Sequence, residues 1–348
     1  MNRDLRVVID PSSRILYSSY YINGLYSMFH KKNVSFSSKY FKSLENGKDK
    51  RSYDHYMAFV IIHPDNSIVK IVIDFRDKPS VKDCAYDWAD KYAKVNFNTH
   101  LTEEKYHKKM VSIPPGFGIN IWNFWGTAFY CLSNLVKCRF SISVGLKTYL
   151  ADYRAQYRRP VLGDYLFKHT AGSIRQSKPY VFLVGTLWKH KNCIEGTNLF
   201  RKTFIELCQS LDCDFEGGFY AQPNHPQYTQ FQSLIFSNRY SVKEYVLKTK
   251  LSAVVFNTPA VHNCHGWKLG EFLAMGKAII STPLSNQLPE DLVHGKNIHI
   301  VTNIEELKSA INLILTNDQY RKSLENGAYQ YYMSYANPQS VIQNILDY

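Results

Sequence analysis

The sequence has 348 residues, of which 45% are hydrophobic and 15% aromatic, so it is long enough for two domains with separate cores and too apolar to be disordered. Its formal net charge of +13 indicates an anionic partner, whether nucleic acid, a membrane surface or a phosphorylated substrate, without choosing among them. Its seven cysteines show no C-x-x-C spacing, and its first residues do not resemble a signal peptide, so we expect a cytoplasmic protein rather than a secreted disulfide framework.

The first half of the chain combines strand and helix patterns. Residues 15–18 are predicted to form a strand, followed by a turn at Asn23 and Gly24 and then a helix. Two β-branched and aromatic runs, at residues 56–63 and 67–75, predict buried strands. Residues 80–94 are predicted to be helical, and residues 109–116 a short strand ending in a Pro-Gly turn.

Residues 118–136 form an uncharged segment that requires a separate interpretation. The segment contains Asn, Thr, Ser and Gly residues and follows Pro114-Pro115-Gly116, which favours a buried helix over a transmembrane one. A third alternative is a segment lying in a membrane interface, flanked by Lys137 and Arg139.

The second half alternates short apolar strands with helices more regularly. This alternation predicts a parallel sheet covered on both faces, and therefore an α/β protein with two Rossmann-like domains. We place the boundary between the domains in the soft stretch at residues 169–178. In such folds ligands bind outside the carboxyl ends of the strands, which directs attention to the residues that follow each strand.

Two loops after predicted strands carry binding chemistry. One begins at Gly185 and includes Lys189 and Lys191, which suits a phosphate, although a basic solvent loop has the same composition. The other leads through Gly266 into a helix containing Lys268, and a helix start favours anions. Glu271 lies off the apolar stripe of that helix, so it points either toward a site at the helix start or toward water.

Several other motifs are absent or weak. The sequence lacks G-x-x-x-x-G-K-[ST] and G-x-S-x-G, and the run from Gly116 lacks the third glycine of a dinucleotide fingerprint. His262, Cys264 and His265 lie in one loop with no sensibly spaced fourth ligand, so we expect no metal site.

Residues 180–337 resemble the donor-binding domain of group 1 glycosyltransferases with the GT-B fold. Gly185, Leu187 and Lys191 match a strand-Gly-Arg-Leu pattern with a downstream lysine, although Thr186 replaces the arginine. The run "GEFLAMGKAIIST" matches the later part of the family's two-glutamate motif, with Glu271 as the second glutamate. Asn263 stands where the first glutamate is found in the family.

The resemblance implies roles for the matching positions. Glu271 would accept hydrogen bonds from ribose hydroxyls, Lys191 would neutralise the diphosphate, and the backbone from Gly266 to Lys268 would contact the phosphate or sugar. Because Thr186 replaces the arginine, Lys189, Arg201 or Lys268 would substitute for its charge, while Asn263 weakens the case for a retaining mechanism. The donor-binding set is Gly24, Gly185, Trp188, Lys191, Arg201, Glu216, Asn263, Gly266, Trp267, Lys268 and Glu271.

The first half resembles the family only in outline. Gly24 would approach the diphosphate from a glycine turn, and Asp74 or Asp90 would be the catalytic base, with His100 a comparable choice and a capping or surface role the alternative for each. The implied domains are residues 1–175 on the acceptor side, residues 176–336 for the donor, and residues 337–348 as a C-terminal helix returning to the first domain across the GT-B cleft.

The expected function is transfer of a sugar, of the hexosyltransferase type, from a nucleotide sugar to a saccharide or lipid-linked acceptor in surface polysaccharide or glycolipid synthesis. We expect no cofactor, independence from metal, no nucleic-acid partner and peripheral contact with an anionic membrane. Three alternatives remain: a sugar-nucleotide epimerase on the same fold, a basic nucleic-acid-binding protein, and a non-catalytic glycosyltransferase scaffold.

Overall fold

The computed structural model describes residues 5–45, 56–138, 144–167 and 178–348. The chain forms two compact units. The first comprises Met1–Leu162, Gln287–Glu290 and Tyr335–Tyr348, and the second Gly163–Asn286 and Asp291–Ser334. The stretch predicted to hold the domain boundary lies almost wholly outside the described residues, whereas the division between the units follows Leu162.

Both units are built from alternating helices and strands. In chain order these are β1 (Arg6–Ile9), α1 (Ile15–Phe29), β2 (Val34–Phe36), α2 (Lys42–Glu45), β3 (Met57–Ile62), β4 (Ile68–Asp74), α3 (Asp83–Trp88), β5 (Lys91–Lys94), β6 (Met110–Ser112), α4 (Phe124–Lys137), α5 (Leu146–Tyr157), α6 (Leu162–Tyr165), β7 (Tyr180–Thr186), α7 (Asn198–Ser210), β8 (Asp214–Tyr220), α8 (Val242–Leu251), β9 (Val255–Asn257), α9 (Trp267–Ala274), β10 (Ile279–Ser281), β11 (His299–Ile300), α10 (Ile304–Thr316), α11 (Asp318–Tyr331) and α12 (Pro338–Asp347). The predicted α/β class is confirmed.

The described strands of the first unit form one mixed sheet in the order β2-β1-β3-β4-β5-β6. Strand β3 is antiparallel to both β1 and β4, whereas the other pairs are parallel. The reason lies in the connection between β3 and β4, where the short turn through Asn66 (φ 65°) permits a hairpin but not a crossover helix. The two strands predicted on either side of this turn are confirmed.

The start of the chain differs from the prediction. Residues 15–18 are helical, and Asn23 and Gly24 lie inside α1 rather than in a turn. Gly24 permits close helix packing, since a Cβ there would lie 2.1 Å from the carbonyl oxygen of Pro338 in α12. The glycine that suggested a phosphate-binding turn is therefore accounted for by contact between two helices, and the role predicted for Gly24 lacks its structural basis.

The C-terminal helix packs on the first unit, as predicted. Val341, Ile342 and Ile345 of α12 are fully buried. Nearby, the Tyr20 hydroxyl of α1 donates to the Ala336 carbonyl at 2.6 Å. The apolar face of α12 and this hydrogen bond together hold the last residues of the chain in the first unit.

Two further helix predictions need correction. Only Asp83–Trp88 of the predicted helix at residues 80–94 is helical, because the following residues pair with β4 as strand β5. The uncharged segment at residues 118–136 contributes α4, but one face of that helix is exposed rather than buried. Of the helices that the structure describes, none is long and apolar enough to cross a bilayer.

The second unit contains parallel strands, as its alternating pattern predicts. Strands β7 and β8 pair in parallel, and β9, β10 and β11 form a parallel group in which β10 is central. Its core includes Phe204 of α7 stacked on Phe256 of β9, with ring centroids 4.9 Å apart. Strand β8 runs through Gly217 (φ 137°), where a Cβ would collide with the backbone of β7.

Candidate functional site

Three predicted residues that are distant in sequence meet where β7 ends. Gly185 is the next-to-last residue of that strand, Arg201 comes from α7, and Lys268 comes from α9. A Cβ at Gly185 would lie 3.4 Å from Nη1 of Arg201 and 3.8 Å from Nζ of Lys268. The carboxyl end of β7 therefore carries two cations beside a position that has no side chain.

Arg201 is a buried cation without an ion-pair partner among the described residues. Its side chain is largely inaccessible, and its Nε donates to the Thr258 hydroxyl at 2.9 Å. Burial lowers the pKa of Arg201 to about 10. Within the described parts of the chain, no carboxylate forms an ion pair with Arg201 or Lys268. A bound anion would supply the missing charge, because an unpaired buried cation is unfavourable.

Lys268 has a similarly perturbed environment. Its ammonium donates to the Val184 carbonyl and lies 5.9 Å from the centre of the Tyr245 ring. Burial, followed by the charge of Arg201, lowers the pKa of Lys268 to about 7, although Glu271 opposes the shift. The ammonium therefore titrates near neutral pH, and a bound anion would keep it protonated.

Helix α9 begins at Trp267, so Lys268 lies in its first turn beside the amide end of the helix. Gly266 is the N-cap residue and has no side chain with which to cap the helix. A Cβ at Gly266 would meet nothing within 4 Å, so packing does not require glycine at this position. The first turn of α9 thus combines the positive end of the helix dipole, a lysine and open space, and this combination suits an anionic group.

Glu271 is buried, not an ordinary surface glutamate. Its exposed fraction is 4%, and its Oε2 accepts a hydrogen bond from the Tyr245 hydroxyl at 3.1 Å. Burial and then the charge of Glu271 raise the pKa of Tyr245 well above its usual value. A carboxylate held in this way can accept hydrogen bonds from hydroxyl groups of a ligand.

The loop after β7 contains residues in two different settings. Lys191 is 86% exposed, and its Nζ lies 4.0 Å from Glu195, so its predicted contact with a phosphate stays a prediction. The backbone of Trp188 is held by Asn198, which accepts from its N–H at 3.2 Å and donates to its carbonyl at 2.9 Å. The Trp188 indole N–H is buried and has no partner within the described structure.

Asn263 connects the loops that follow β7 and β9. Its Oδ1 accepts from Asn192 Nδ2 at 2.8 Å, and its backbone has a φ of 56°. Asparagine adopts this left-handed conformation more readily than glutamate. The local backbone therefore gives a physical reason for the asparagine at the position where the resemblance expects a glutamate.

Asp74 is unsuited to act as a base. It is fully buried and accepts hydrogen bonds from Tyr92 at 2.7 Å, Lys94 at 2.9 Å and Arg76 at 2.6 Å. Burial alone would raise the pKa of Asp74, but the charges of Lys94 and Arg76 outweigh it and lower the pKa to about 2. Asp74 therefore fits the role of a base poorly, since its lone pairs are occupied and its basicity is low, and its catalytic role stays a prediction.

Asp90 and Glu216 also have structural explanations. Asp90 is exposed and accepts from the backbone N–H of Lys70 at 2.8 Å, which fastens β5 beside β4. Glu216 accepts from the Tyr180 hydroxyl at 2.6 Å, from Lys248 at 2.8 Å and from the Tyr240 hydroxyl. These contacts show Glu216 engaged in an internal network, whereas the catalytic role of Asp90 stays a prediction.

Sequence reasoning missed two residues of the cluster. Tyr245 comes from α8, where no motif marks it, and Thr258 directly follows β9. Thr258 could have been found from the sequence, because it lies at the carboxyl end of a strand, where ligands bind in such folds. Among the residues that the structure describes, no group of three or more His, Cys, Asp or Glu side chains is arranged to hold a metal ion.

No protein-family model matches the sequence, and no curated protein matches it. The chain is similar in structure to glycosyltransferases. The C-terminal domain of a group 1 glycosyl transferase family protein, LpcC from Francisella tularensis, is 16% identical with a TM-score of 0.37, covering 50% of this chain and 96% of that one. A glycosyltransferase from Rickettsia africae is 13% identical with a TM-score of 0.42, covering 77% of this chain and 66% of that one.

A third similar structure is TarM, at 11% identity and a TM-score of 0.38, covering 84% of this chain and 66% of that one. This chain therefore matches about two thirds of the length of the last two proteins. Because identities and TM-scores are this low, the function proposed next rests on the residues of the second unit.

Proposed function

We propose that the chain transfers a sugar, of the hexosyl type, from a nucleotide-sugar donor to a saccharide or lipid-linked saccharide acceptor. The observation that carries the proposal is the pair formed by Arg201 and Lys268 at Gly185, two cations without an ion-pair partner in the described structure. A diphosphate is an anion that such a pair would bind, and preorganised cations stabilise the charge that develops on a leaving diphosphate.

Glu271 extends the proposal from an anion to a nucleotide sugar. The buried carboxylate lies on the same helix as Lys268, one turn further from the helix start. It would accept hydrogen bonds from the ribose hydroxyls while the start of α9 contacts a phosphate. In this proposal the protein is cytoplasmic and metal-independent, and contacts an anionic membrane at its periphery during surface polysaccharide or glycolipid synthesis.

A thermal-shift screen of nucleotide sugars tests the donor class. A donor that binds the native state raises the melting temperature with its concentration, and the nucleotide that does so at the lowest concentration identifies the donor. Nucleotides without sugar and sugars without nucleotide serve as controls. A screen in which no nucleotide sugar stabilises the protein contradicts the proposal.

Glu271→Gln and Glu271→Ala test the assigned contact. Loss of charged hydrogen bonds should weaken donor binding by about ten- to hundred-fold, measured by isothermal titration calorimetry. Glu305→Gln, an exposed change on α10, is the control and should bind normally. Unchanged affinity in a folded Glu271 variant would remove the role assigned to it, and formation of an isomerised nucleotide sugar without acceptor would indicate an epimerase.

A further inference from the structure

Helix α4 has an exposed apolar stripe. It consists of Trp125, Phe129, Leu132 and Val136, of which Trp125 is 77% exposed and the others more than half exposed. Because an α-helix has 3.6 residues per turn, this spacing places the four side chains along one face. The opposite face is buried through Cys131 and Leu135. A helix that is apolar on both faces normally has both covered.

Helix α5 extends this surface. Leu146, Leu150 and Tyr157 are exposed and lie along one side of α5. The Tyr157 ring contacts the Phe124 ring at the start of α4, with centroids 6.1 Å apart. We call the exposed apolar side chains of the two helices the α4–α5 face, consisting of Phe124, Trp125, Phe129, Leu132, Val136, Leu146, Leu150 and Tyr157.

The exposed charges that α4 and α5 themselves carry have one sign. The exposed basic residues are Lys137, Lys147, Arg154 and Arg158, and in the described structure none of them forms an ion pair. The only acidic residue between positions 113 and 162 is Asp152, which is buried and paired with Arg14 at 3.1 Å. In the described structure the face therefore joins aromatic and aliphatic side chains to a border of lysines and arginines that form no ion pair.

We infer that the α4–α5 face docks onto the surface of an anionic lipid bilayer. Aromatic side chains of this kind enter the boundary between headgroups and acyl chains, and neighbouring lysines and arginines are attracted to anionic headgroups. A second copy of the chain fits less well, because a symmetric dimer through this face would bring two identical positive borders together. An anionic bilayer would bury the apolar centre of the face and attract its basic border.

This inference rests on the proposed function, which includes contact with an anionic membrane, and it identifies the surface that makes this contact. It does not depend on sugar transfer. The test is co-sedimentation of the full chain with vesicles of phosphatidylcholine, alone or mixed with phosphatidylglycerol. The chain should bind the mixed vesicles, bind the neutral ones far more weakly, and be released by added salt. Donor binding is measured separately by calorimetry without vesicles, so failure of one proposal leaves the other intact.

Two double variants separate the apolar from the electrostatic part. Trp125→Ala with Phe129→Ala should lower partitioning onto mixed vesicles by about ten-fold or more, since both rings lose their apolar burial. Arg154→Gln with Arg158→Gln should lower it by about five-fold per charge. The controls change other exposed residues, in the second unit: Leu247→Ala with Leu251→Ala, and Lys243→Gln with Lys308→Gln.

The substituted side chains are exposed, so all variants should fold, and circular dichroism verifies this. A change in vesicle binding can therefore be assigned to the substituted side chains. Equal loss of binding in a control pair overturns the assignment of the face. Absence of wild-type binding to mixed vesicles overturns the inference itself. A wild-type dimer in sedimentation analysis that Trp125→Ala with Phe129→Ala dissociates, without vesicle binding, would assign the face to a second copy instead.

Discussion

Arg201 is a buried cation that the protein retains without an ion-pair partner in the described structure, although an apolar residue of similar length would fill the same space. Its hydrogen bond to Thr258 satisfies one donor, and burial disfavours its charge. Such a residue is explained better by a ligand than by folding, because buried charges without a counter-ion generally lower stability.

Replacing Arg201 therefore separates the two explanations. Arg201→Met should weaken nucleotide-sugar binding by about a hundred-fold, while the free energy of unfolding stays within about 1 kcal/mol or rises. The matched control is Arg76→Met, which breaks the ion pair with buried Asp74 and should be clearly destabilising. Calorimetry and urea denaturation measure the two quantities. A loss of stability in Arg201→Met as large as in Arg76→Met would identify Arg201 as a structural residue.

Lys268 predicts a pH dependence of donor binding. The pKa of Lys268 in the free protein is lowered to about 7, and a bound diphosphate favours the charged form, so binding takes up a proton above that pH. Donor affinity should fall by up to about ten-fold per pH unit as the pH rises above 7. Calorimetry in buffers of different ionisation enthalpy measures the uptake of the proton.

Lys268→Arg is the control for this pH profile, because arginine remains charged throughout the range. Its donor affinity should be nearly flat between neutral and mildly alkaline pH, even if the longer side chain lowers affinity overall. If wild-type affinity is equally flat, Lys268 does not hold the anion.

Short-range pattern explains which site residues could be predicted. Lys268 and Glu271 lie within one motif, and Arg201 was one of three basic residues proposed to compensate for Thr186. Tyr245 was invisible because it reaches Glu271 from another helix through a contact that spans 26 positions. The partners that occupy the oxygens of Asp74 could not be predicted, because its position at a strand end does not reveal them.

At the scale of elements, one ion cluster couples two neighbouring strands of the first unit. Asp74 of β4 stands directly opposite Lys94 of β5, and both side chains are fully buried. Removing only the carboxylate would leave Lys94 buried with its counter-ion gone. Asp74→Asn should therefore lower the free energy of unfolding by about 3–5 kcal/mol in urea denaturation, whereas exposed Asp87→Asn should be nearly neutral.

The same ion cluster predicts that the free energy of unfolding falls at low pH. The pKa of Asp74 is lowered from 3.8 to about 2, so the unfolded chain binds a proton that the folded chain does not over that window. Stability should consequently fall by about 2 kcal/mol as the pH decreases from 3.8 to 2, and this part of the dependence should vanish in Asp74→Asn. An unchanged acid profile in that variant would contradict the lowered pKa of Asp74.

Elements whose hydrophobic residues repeat with a clear helix or strand period were predictable from the sequence. Elements determined by contacts with distant residues were not. The apolar runs of β3 and β4 lie close to their predicted places. The opening of α1 is rich in β-branched and aromatic residues, and a short run of that kind fits a strand as well as a buried helix. Packing against α12, which lies more than 300 residues further along the chain, favours the helix.

At the scale of the whole molecule, the chain leaves its first unit and returns to it at the end. The return was predictable because the final residues begin with Asn337 as N-cap and Pro338, followed by an amphipathic pattern. The separate return of Gln287–Glu290 to the first unit was not predictable, because those four residues carry no distinctive pattern.

The returning helix makes a prediction about the whole chain. A Cβ at Gly24 would meet the Pro338 carbonyl oxygen at 2.1 Å and Ile342 at 2.9 Å, so Gly24→Ala must push α12 away from α1. The expected cost is about 1–3 kcal/mol. Hydrogen exchange should show faster exchange in α1 and α12, whereas α9, in the second unit, should keep its protection.

Gly145→Ala is the matched control, since Gly145 also belongs to the first unit but a Cβ there would have nothing within 4 Å. It removes the same backbone freedom without a collision, and should leave exchange in α1 and α12 unchanged. Equal acceleration in the two variants would show that loss of glycine itself, rather than contact with α12, is responsible. Unchanged exchange in Gly24→Ala would mean that α12 does not press on α1 as described, and that the chain end is held by other contacts.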